Sequence, residues 1–446
     1  MIAPLTEIGP FRERLLSFCK ARRIRGTILL SAEGIQMLVC VADGQLDALL
    51  TEIRGHPGLA TLEATLTGSR YQPFERMVVR VQKGVASLEA TELALGLKAS
   101  REHLAQVSAT GPGIPSEEQI AENIAHRHRL IRKAVDPLPG RAPSDQFKPV
   151  NIPQRMDGRT LLDVVCAAVS HVPRSEWERE FSAGLLVNAS DAAVGAGHIV
   201  RAGERYRHKI PGVIEPDVAG DVRILHEDEA LLVVSKPAPL PMHAGGRFHR
   251  NTLQHILNTI YHPETPRPAH RLDANTTGIV LVARSQLFAG RLQTQFARGL
   301  VKKRYLVRAQ GHPPSDIFSC DAPISSQSGR LGSRQVDFQS GLAARTEFHA
   351  IRRSGDGATL LEARPITGRT NQIRVHLWHL GYPVCGDPAY LPGGKLGDTQ
   401  TLPVNAAPLC LHAWRIAFTH PMTQEAIEFT APPPPWVEGV MVSNLP

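Results

Sequence analysis

The tetrapeptide His270-Arg271-Leu272-Asp273 gathers an imidazole, a guanidinium and a carboxylate just ahead of the apolar run Gly278 to Ala283. Asn275, Thr276 and Thr277 form a turn between them. A carboxylate at the mouth of a strand can act as a nucleophile, and an arginine beside it can hold it ionised or bind phosphate. Taken alone, the same residues also fit a plain role in which Asp273 caps a turn and Arg271 pairs with it at the surface.

Further segments carry compatible chemistry. RPITGRTNQIRVHLWHLGYPVCGDPAY supplies Arg364, Arg369, Arg374, His376 and Asp387 beside glycine turns. Arginine pairs bidentately with carboxylates and phosphates, which lysine does less well, although a solvated basic strand would also read this way. VKKRYLV adds Lys303 and Tyr305, and LLVVSKPAPLPMH adds Lys236, Pro237, Leu240 and His243.

In this order and spacing the segments resemble the RluA family of RNA pseudouridine synthases, from about Asp217 through the closing LCLHAWRIAFTHP. The family pattern of HRLD, two variable residues, Thr, Ser or Thr, and Gly is met by His270 to Gly278. The resemblance implies that Asp273 is the catalytic aspartate, that Tyr305 packs against the target base, and that Arg374 is the counter-ion of Asp273. Arg271 falls where the family helps to displace the target nucleotide. His270, Lys236, His243, Lys303, Arg369 and His376 are expected to contact the substrate with it. Neither a metal nor a cofactor is implied. Two positions depart from the pattern: Asn371 stands where the family usually has His, and Pro239 where it has Gly. Altered substrate contacts or turn geometry are the expected result.

These residue types suit the reaction. Making pseudouridine breaks the bond from sugar to base nitrogen, turns the base, and rejoins it through carbon five. A carboxylate can attack carbon six of the ring or the anomeric carbon, and the sequence leaves both routes open. An opposite charge close by favours the ionised form of the nucleophile. A stacked base is out of reach, so it must be flipped out and received against an aromatic ring.

The elements that position these groups follow from the patterning. A chain of 446 residues exceeds what one core usually organises, so several domains are expected. The runs LLVV and GIVLVA read as buried strands and are too short to span a bilayer. Residues 216–446 therefore read as an α+β domain built on a large mixed or antiparallel sheet. Residues 149–215 read as a helix pair, GRTLLDVVCAAVSH and PRSEWEREFSAG, followed by the strands GLLVN and VRAGERYRHKI, with Ser175 and Glu178 at capping-box spacing. This unit resembles a diverged alpha-L RNA-binding motif, with Gly184, Val187 and Asn188 in its turn. Residues 106–148 read as a linker with one helix, whose basic run His126, Arg127, His128, Arg129, Arg132 and Lys133 suits a solvated face better than a phosphate site.

Residues 1–105 read as helix, strand, strand, helix and then further strands, MVVRVQ among them. GTILLSAEGIQ and YQPFERMVVRVQKG resemble the amino-terminal domain of the rhodanese-type tRNA uridine hydroxylases, a ferredoxin-like or acylphosphatase-like module. The rhodanese half with its catalytic cysteine is absent. RNA binding through Arg76, Arg80 and Lys83 and a mere docking role are equally open for this module.

The net charge of +8 and pI near 9.3 favour a polyanionic partner and would equally suit an anionic membrane surface. Six scattered cysteines, with no C-x-x-C pair, fit a reducing compartment and exclude a zinc-finger pattern. The start shows no signal-peptide pattern. A cytoplasmic, monomeric RNA-modifying isomerase acting on ribosomal or transfer RNA is the expectation. Its rivals are a catalytically silent RNA-binding or assembly factor, which the joint presence of Asp273, Tyr305 and Arg374 disfavours, and uridine hydroxylation or sulfur transfer, which lacks the thiol it needs.

Overall fold

A computed structural model describes residues 7–32, 34–41, 44–60, 62, 77–81, 117–329 and 332–437. In the first module, α1 (Ile8–Ala21) turns Phe11, Leu15 and Cys19 inward at four-residue spacing, and α2 (Leu46–Arg54) does the same with Leu49 and Ile53. Both meet Ile28, Leu30 and Val79 of a sheet made by β1 (Arg25–Ser31), β2 (Gly34–Cys40) and β3 (Met77–Val81). Its order is β2-β1-β3, with the β1–β3 pair parallel. The helix, strand, strand, helix order matches the expectation, and of the further strands expected one, β3, lies among the described residues. Arg80 is exposed on β3, whereas Arg76 and Lys83 fall outside the described residues.

The segment expected to be a linker behaves otherwise. Its helix, α3 (Glu117–Val135), buries Ile131 in the core of the last domain. Arg127 pairs with Glu227 at 3.1 Å and stacks over the Tyr261 ring at 4.1 Å, and His128 Nε2 accepts the backbone N–H of Ile224 at 2.9 Å. Only His126, Arg129, Arg132 and Lys133 form the solvated face that the basic run suggested. The rule that a charge run is a surface fails at Arg127 and His128 because one helical face must pack.

The next unit begins inside that supposed linker, at β4 (Ser144–Asn151). It continues with α4 (Leu161–Ala168), α5 (Arg174–Ser182), β5 (Leu186–Val187) and β6 (Arg205–Val213), the strands ordered β4-β6-β5. SDQFKPVN lacks apolar alternation, so β4 is set by pairing along β6 rather than by its own pattern. The expected Ser175 cap does not form: α5 follows Pro173 with no side-chain cap, and Glu178 pairs with Arg174 at 3.4 Å. The cap lies one helix earlier, where Thr160 Oγ1 accepts the Asp163 amide at 3.1 Å and donates to its carboxylate at 2.7 Å.

A buried carboxylate joins this unit to the last domain. Glu215 is 3% exposed and accepts the amides of His249, Arg250 and Asn251 at 2.8 to 2.9 Å, together with Gln146 Nε2 from β4 at 3.3 Å. Asn251 bonds in turn to the Gly140 amide and the Pro216 carbonyl, both at 2.8 Å. A Cβ on Gly140 would lie 2.7 Å from both Asn251 Cγ and Glu215 Cβ, so glycine is required there.

The last domain contains β7 (Arg223–Glu227), β8 (Leu231–Lys236), α6 (Leu253–Ile260), β9 (Arg267–Pro268), β10 (Thr277–Ala283), α7 (Gln286–Ala297), β11 (Lys302–Gln310), β12 (Ile317–Cys320), β13 (Thr346–Arg353), β14 (Ala358–Pro365), α8 (Gln372–His379), β15 (Tyr390–Leu391), β16 (Lys395–Leu396), β17 (Leu411–Thr419) and β18 (Ala426–Thr430). Its main sheet runs β12-β13-β14-β11-β17-β10-β8-β7, and β10–β17 is the parallel pair in an otherwise antiparallel path. The mixed sheet expected from sequence is thus present. β8 and β10 read as unbroken apolar runs because both faces are covered. Leu232, Val234, Val280 and Val282 meet α6, while Leu231, Val233, Ile279 and Leu281 meet α7. Among the described residues no helix is long and apolar enough to cross a membrane.

At the far edge, Asp228 Oδ2 receives His226 at 2.7 Å and His420 at 3.0 Å, tying the β7–β8 turn to the β17–β18 turn. Burial alone would raise its pKa, but the bonds from His226, His420 and the Ala230 amide outweigh that and hold the carboxyl far below its ordinary range.

Two outcomes are expected. Glu215→Ala strips three buried amides of their acceptor and should cost about 2 to 3 kcal/mol in urea unfolding. Because the folded-state pKa of Asp228 is depressed, its contribution is present above the unfolded value near pH 4 and is lost as pH falls toward the folded value. Asp228→Asn should therefore flatten the acid side of the urea-midpoint profile below about pH 4.

Candidate active site

Asp273 stands on the loop between β9 and β10, and three anchors fix that loop. The Thr276 amide donates to the Asp273 carbonyl at 3.1 Å. Asn275, 3% exposed, accepts the Leu402 amide at 3.0 Å and donates to the Gln400 carbonyl at 2.9 Å. Lys236 donates to the carbonyls of Pro237, Leu240 and Ala274 at 2.9, 2.9 and 3.0 Å. Where the loop enters β10, Thr277 meets His412 at 2.8 Å and Gly278 adopts φ +110°. A Cβ on Gly278 would overlap the Ala413 carbonyl, so the parallel β10–β17 contact requires glycine.

Arg374 approaches from α8. The segment that could have been a solvated basic strand is a helix buried along most of its length, with Ile373, Val375 and Leu377 in the core. It starts at Asn371, which takes φ +58°, a left-handed conformation that Asn tolerates better than most residues. Arg374 is 5% exposed. Its Nε and Nη2 donate to the two oxygens of Asp387, each at 2.7 Å, and its Nη1 donates to Asp273 Oδ2 at 2.9 Å and Asn371 Oδ1 at 3.2 Å. The Tyr390 ring lies 5.0 Å from the guanidinium carbon. Asp273 keeps a quarter of its side chain exposed, so its second oxygen can meet a ligand.

Tyr305 lies on β11, where the register with β17 shifts between Arg304 and Tyr305. Its half-buried ring packs against the cores on both sides of that strand. Burial and the nearby Asp273 charge push the phenol far above its ordinary pKa, so it stays neutral. The structure thus brings together the three residues singled out for catalysis: a carboxylate acceptor, its arginine partner and an aromatic ring.

The expected substrate contacts divide. Arg271, His243 and Arg369 are exposed, Arg369 also donating to the Ala343 carbonyl at 3.0 Å. Lys303 is half-buried and reaches the Thr367 carbonyl at 3.2 Å, its pKa lowered by burial. Three others serve the fold. His270 Nε2 accepts the Leu281 amide at 3.0 Å, its ring lies 4.7 Å from that of Phe296, and burial, reinforced by Lys303, pushes its pKa down to about 3. His376, 0% exposed, bridges Thr346 at 2.9 Å and the Ala322 carbonyl at 3.0 Å. Lys236, 1% exposed, is spent on its three carbonyls. Burial draws its pKa down to about 7 against the pull of Asp273. A neutral amine has only two N–H groups, so three acceptors favour the ammonium. Long cationic side chains beside a site invite a substrate role from sequence, but only burial separates the three that turn inward.

Asp387, Asn275 and Tyr390 had no assigned role in the sequence. A hint was available for Asp387, which follows Gly386 in a turn where a Cβ would overlap the Pro408 carbonyl.

Two family descriptions match this chain: RNA pseudouridylate synthase over residues 230–379, and UPF0176 acylphosphatase-like domain over residues 3–85. An uncharacterised RNA pseudouridine synthase of Synechocystis sp. is 32% identical over 62% of this chain and 94% of its own length. The dual-specificity RNA pseudouridine synthase RluA of Pasteurella multocida is 32% identical over 47% of this chain and 92% of its own. Human pseudouridylate synthase RPUSD2 is 31% identical over 53% of this chain but only 43% of its own.

Lys236→Met leaves buried carbonyls unpaired and should lower stability by about 2 to 3 kcal/mol in urea unfolding. The salt dependence of RNA binding should stay unchanged, whereas loss of a phosphate contact would reduce its slope by about one.

Proposed function

The chain belongs to the RNA pseudouridine synthases, isomerases that act on RNA, and from that premise we propose that it isomerises specific uridines of structured ribosomal or transfer RNA with Asp273 as nucleophile. The observation that carries this reading is the single hydrogen bond from Arg374 to Asp273, which leaves the second carboxylate oxygen open beside a neutral aromatic ring. Arg374 supplies the opposite charge beside Asp273 and orients its carboxylate. Asp273 attacks the flipped-out nucleotide at carbon six or at the anomeric carbon, the bond from sugar to nitrogen breaks, and the base rejoins through carbon five as the carboxylate departs; carbon five then gives up its proton and the freed ring nitrogen takes one up. No atoms are gained or lost. Tyr305 receives the base by stacking, and Arg271, exposed two residues before Asp273, takes the place the base leaves.

Around this centre His243, Lys303 and Arg369 supply cationic or hydrogen-bonding contacts for the RNA backbone. Residues 144–213 hold RNA in the manner of an alpha-L motif, and the first module adds a further contact through the segment containing Arg80. A monomer working in the cytoplasm is the setting this reading assumes. The presence of Asp273, Arg374 and Tyr305 in one site supports an enzyme over a silent binding factor.

Asp273→Asn should lower pseudouridine formation by at least about a thousandfold while RNA binding persists. Turnover like that of the wild type in this variant sinks the assignment. Carbodiimide primer extension on ribosomal and transfer RNA, from cells with and without the gene, should show one or a few sites that depend on it. RNA affinity should fall steeply as salt rises, since the backbone contacts release counter-ions.

A further inference from the structure

The reading of Asp273 as nucleophile leaves unexplained why its counter-ion is fastened so firmly to something else. Asp387 has no exposed side-chain surface, and it spans the Nε and Nη2 edge of Arg374 with two bonds of 2.7 Å. It is itself fixed by the Ala389 and Tyr390 amides, which donate to its Oδ1 at 2.9 and 3.1 Å. Tyr390 lies against the guanidinium and its hydroxyl accepts from Asn371 Nδ2 at 3.0 Å, while Asn371 Oδ1 accepts from Arg374 Nη1 at 3.2 Å. All of these contacts hold the guanidinium in one plane without any help from Asp273.

A guanidinium offers a carboxylate two bidentate edges, and an arginine left to itself would turn such an edge toward Asp273 and engage both its oxygens. Resting on the functional reading above, we propose that Asp387 is a positioning residue for Asp273. Asp387 takes the Nε and Nη2 edge while Asn371 shares Nη1, and the plane they fix turns only Nη1 toward Asp273, so that contact is one hydrogen bond and the other Asp273 oxygen is free to attack.

The charges around Asp273 make the same point. Arg374 faces it from α8, Lys236 lies beneath its loop on β8, and Tyr305 on β11 is neutral. With Asp387 ionised, the two cations are balanced by two carboxylates. With Asp387 neutral, Asp273 alone answers two positive charges, which makes it a weaker base and a poorer nucleophile.

Steady-state kinetics of the full-length protein on unmodified ribosomal and transfer RNA transcripts should distinguish this from simple scaffolding. Asp387→Asn keeps the volume of the side chain but presents an amide where Arg374 needs an acceptor. It should lower kcat by about 10- to 100-fold with KM within about threefold, and move the acid limb of the kcat profile to lower pH by about one unit. Asp387→Glu restores the charge, so its acid limb should return toward the wild-type position. A folded Asp387→Asn protein with unchanged kcat, or with reduced kcat and an unmoved acid limb, overturns the proposal.

A second measurement needs neither turnover nor a foldable Asp387 variant. In protein labelled with nitrogen-15 arginine, the Arg374 Nε–H should remain protected from exchange in Asp273→Asn, because Asp387 alone holds it. Loss of that protection overturns the proposal. Absence of pseudouridine formation by the wild-type protein on every transcript would count instead against the functional reading.

Discussion

One positive charge is divided between two carboxylates at the centre of this molecule, and the surrounding loops are arranged to keep that division unequal. Arg374 gives two bonds to Asp387 and one to Asp273, so the buried carboxylate is saturated and the partly exposed one is not. A charge this deep is costly unless it is fully partnered. Asn371, Tyr390 and the two amides behind Asp387 supply the missing partners. The expense of burying the group is what fixes its orientation.

The other half of the site depends on close backbone approach. β10 and β17 run parallel and touch at Thr277–His412 and Gly278–Ala413, near the point where the Asp273 loop leaves the sheet. Gly278 permits that approach, and Lys236 gathers three carbonyls from the two loops above it. Asp273 is therefore positioned by main-chain packing, and Arg374 by side-chain pairing. Two independent devices converge on one 2.9 Å bond, so a disturbance in either can be read separately.

Legibility from sequence followed how local the cause was. The apolar runs of β8 and β10 and the helix–strand–strand–helix–strand order of the first module depend on patterns within the segments themselves, and they were readable. So was the meeting of Asp273, Arg374 and Tyr305, since these residues lie in recognisable blocks. β4 was missed because only its partner strand makes it a strand. α3 reads as a solvated helix within a linker because its charge run hides Ile131, Arg127 and His128 on one packed face. The inward turn of Lys236, His270 and His376 was equally hidden: a cation that binds phosphate and one that binds carbonyls are written with the same letter. Asp387 belongs with these, since its bond to Arg374 depends on a fold that brings helix and loop together.

The Glu215 joint bears on how such a chain can be inherited. Family matching begins at residue 230, which invites the view that the sheet is a movable part to which RNA-binding pieces were appended. Yet a piece starting at Asp217 would lose the acceptor of the His249, Arg250 and Asn251 amides, and with α3 it would lose Ile131 from the sheet's own core. Recombination at that point would pass on an incomplete interior. In this chain the small unit, α3 and the sheet therefore close one continuous interior.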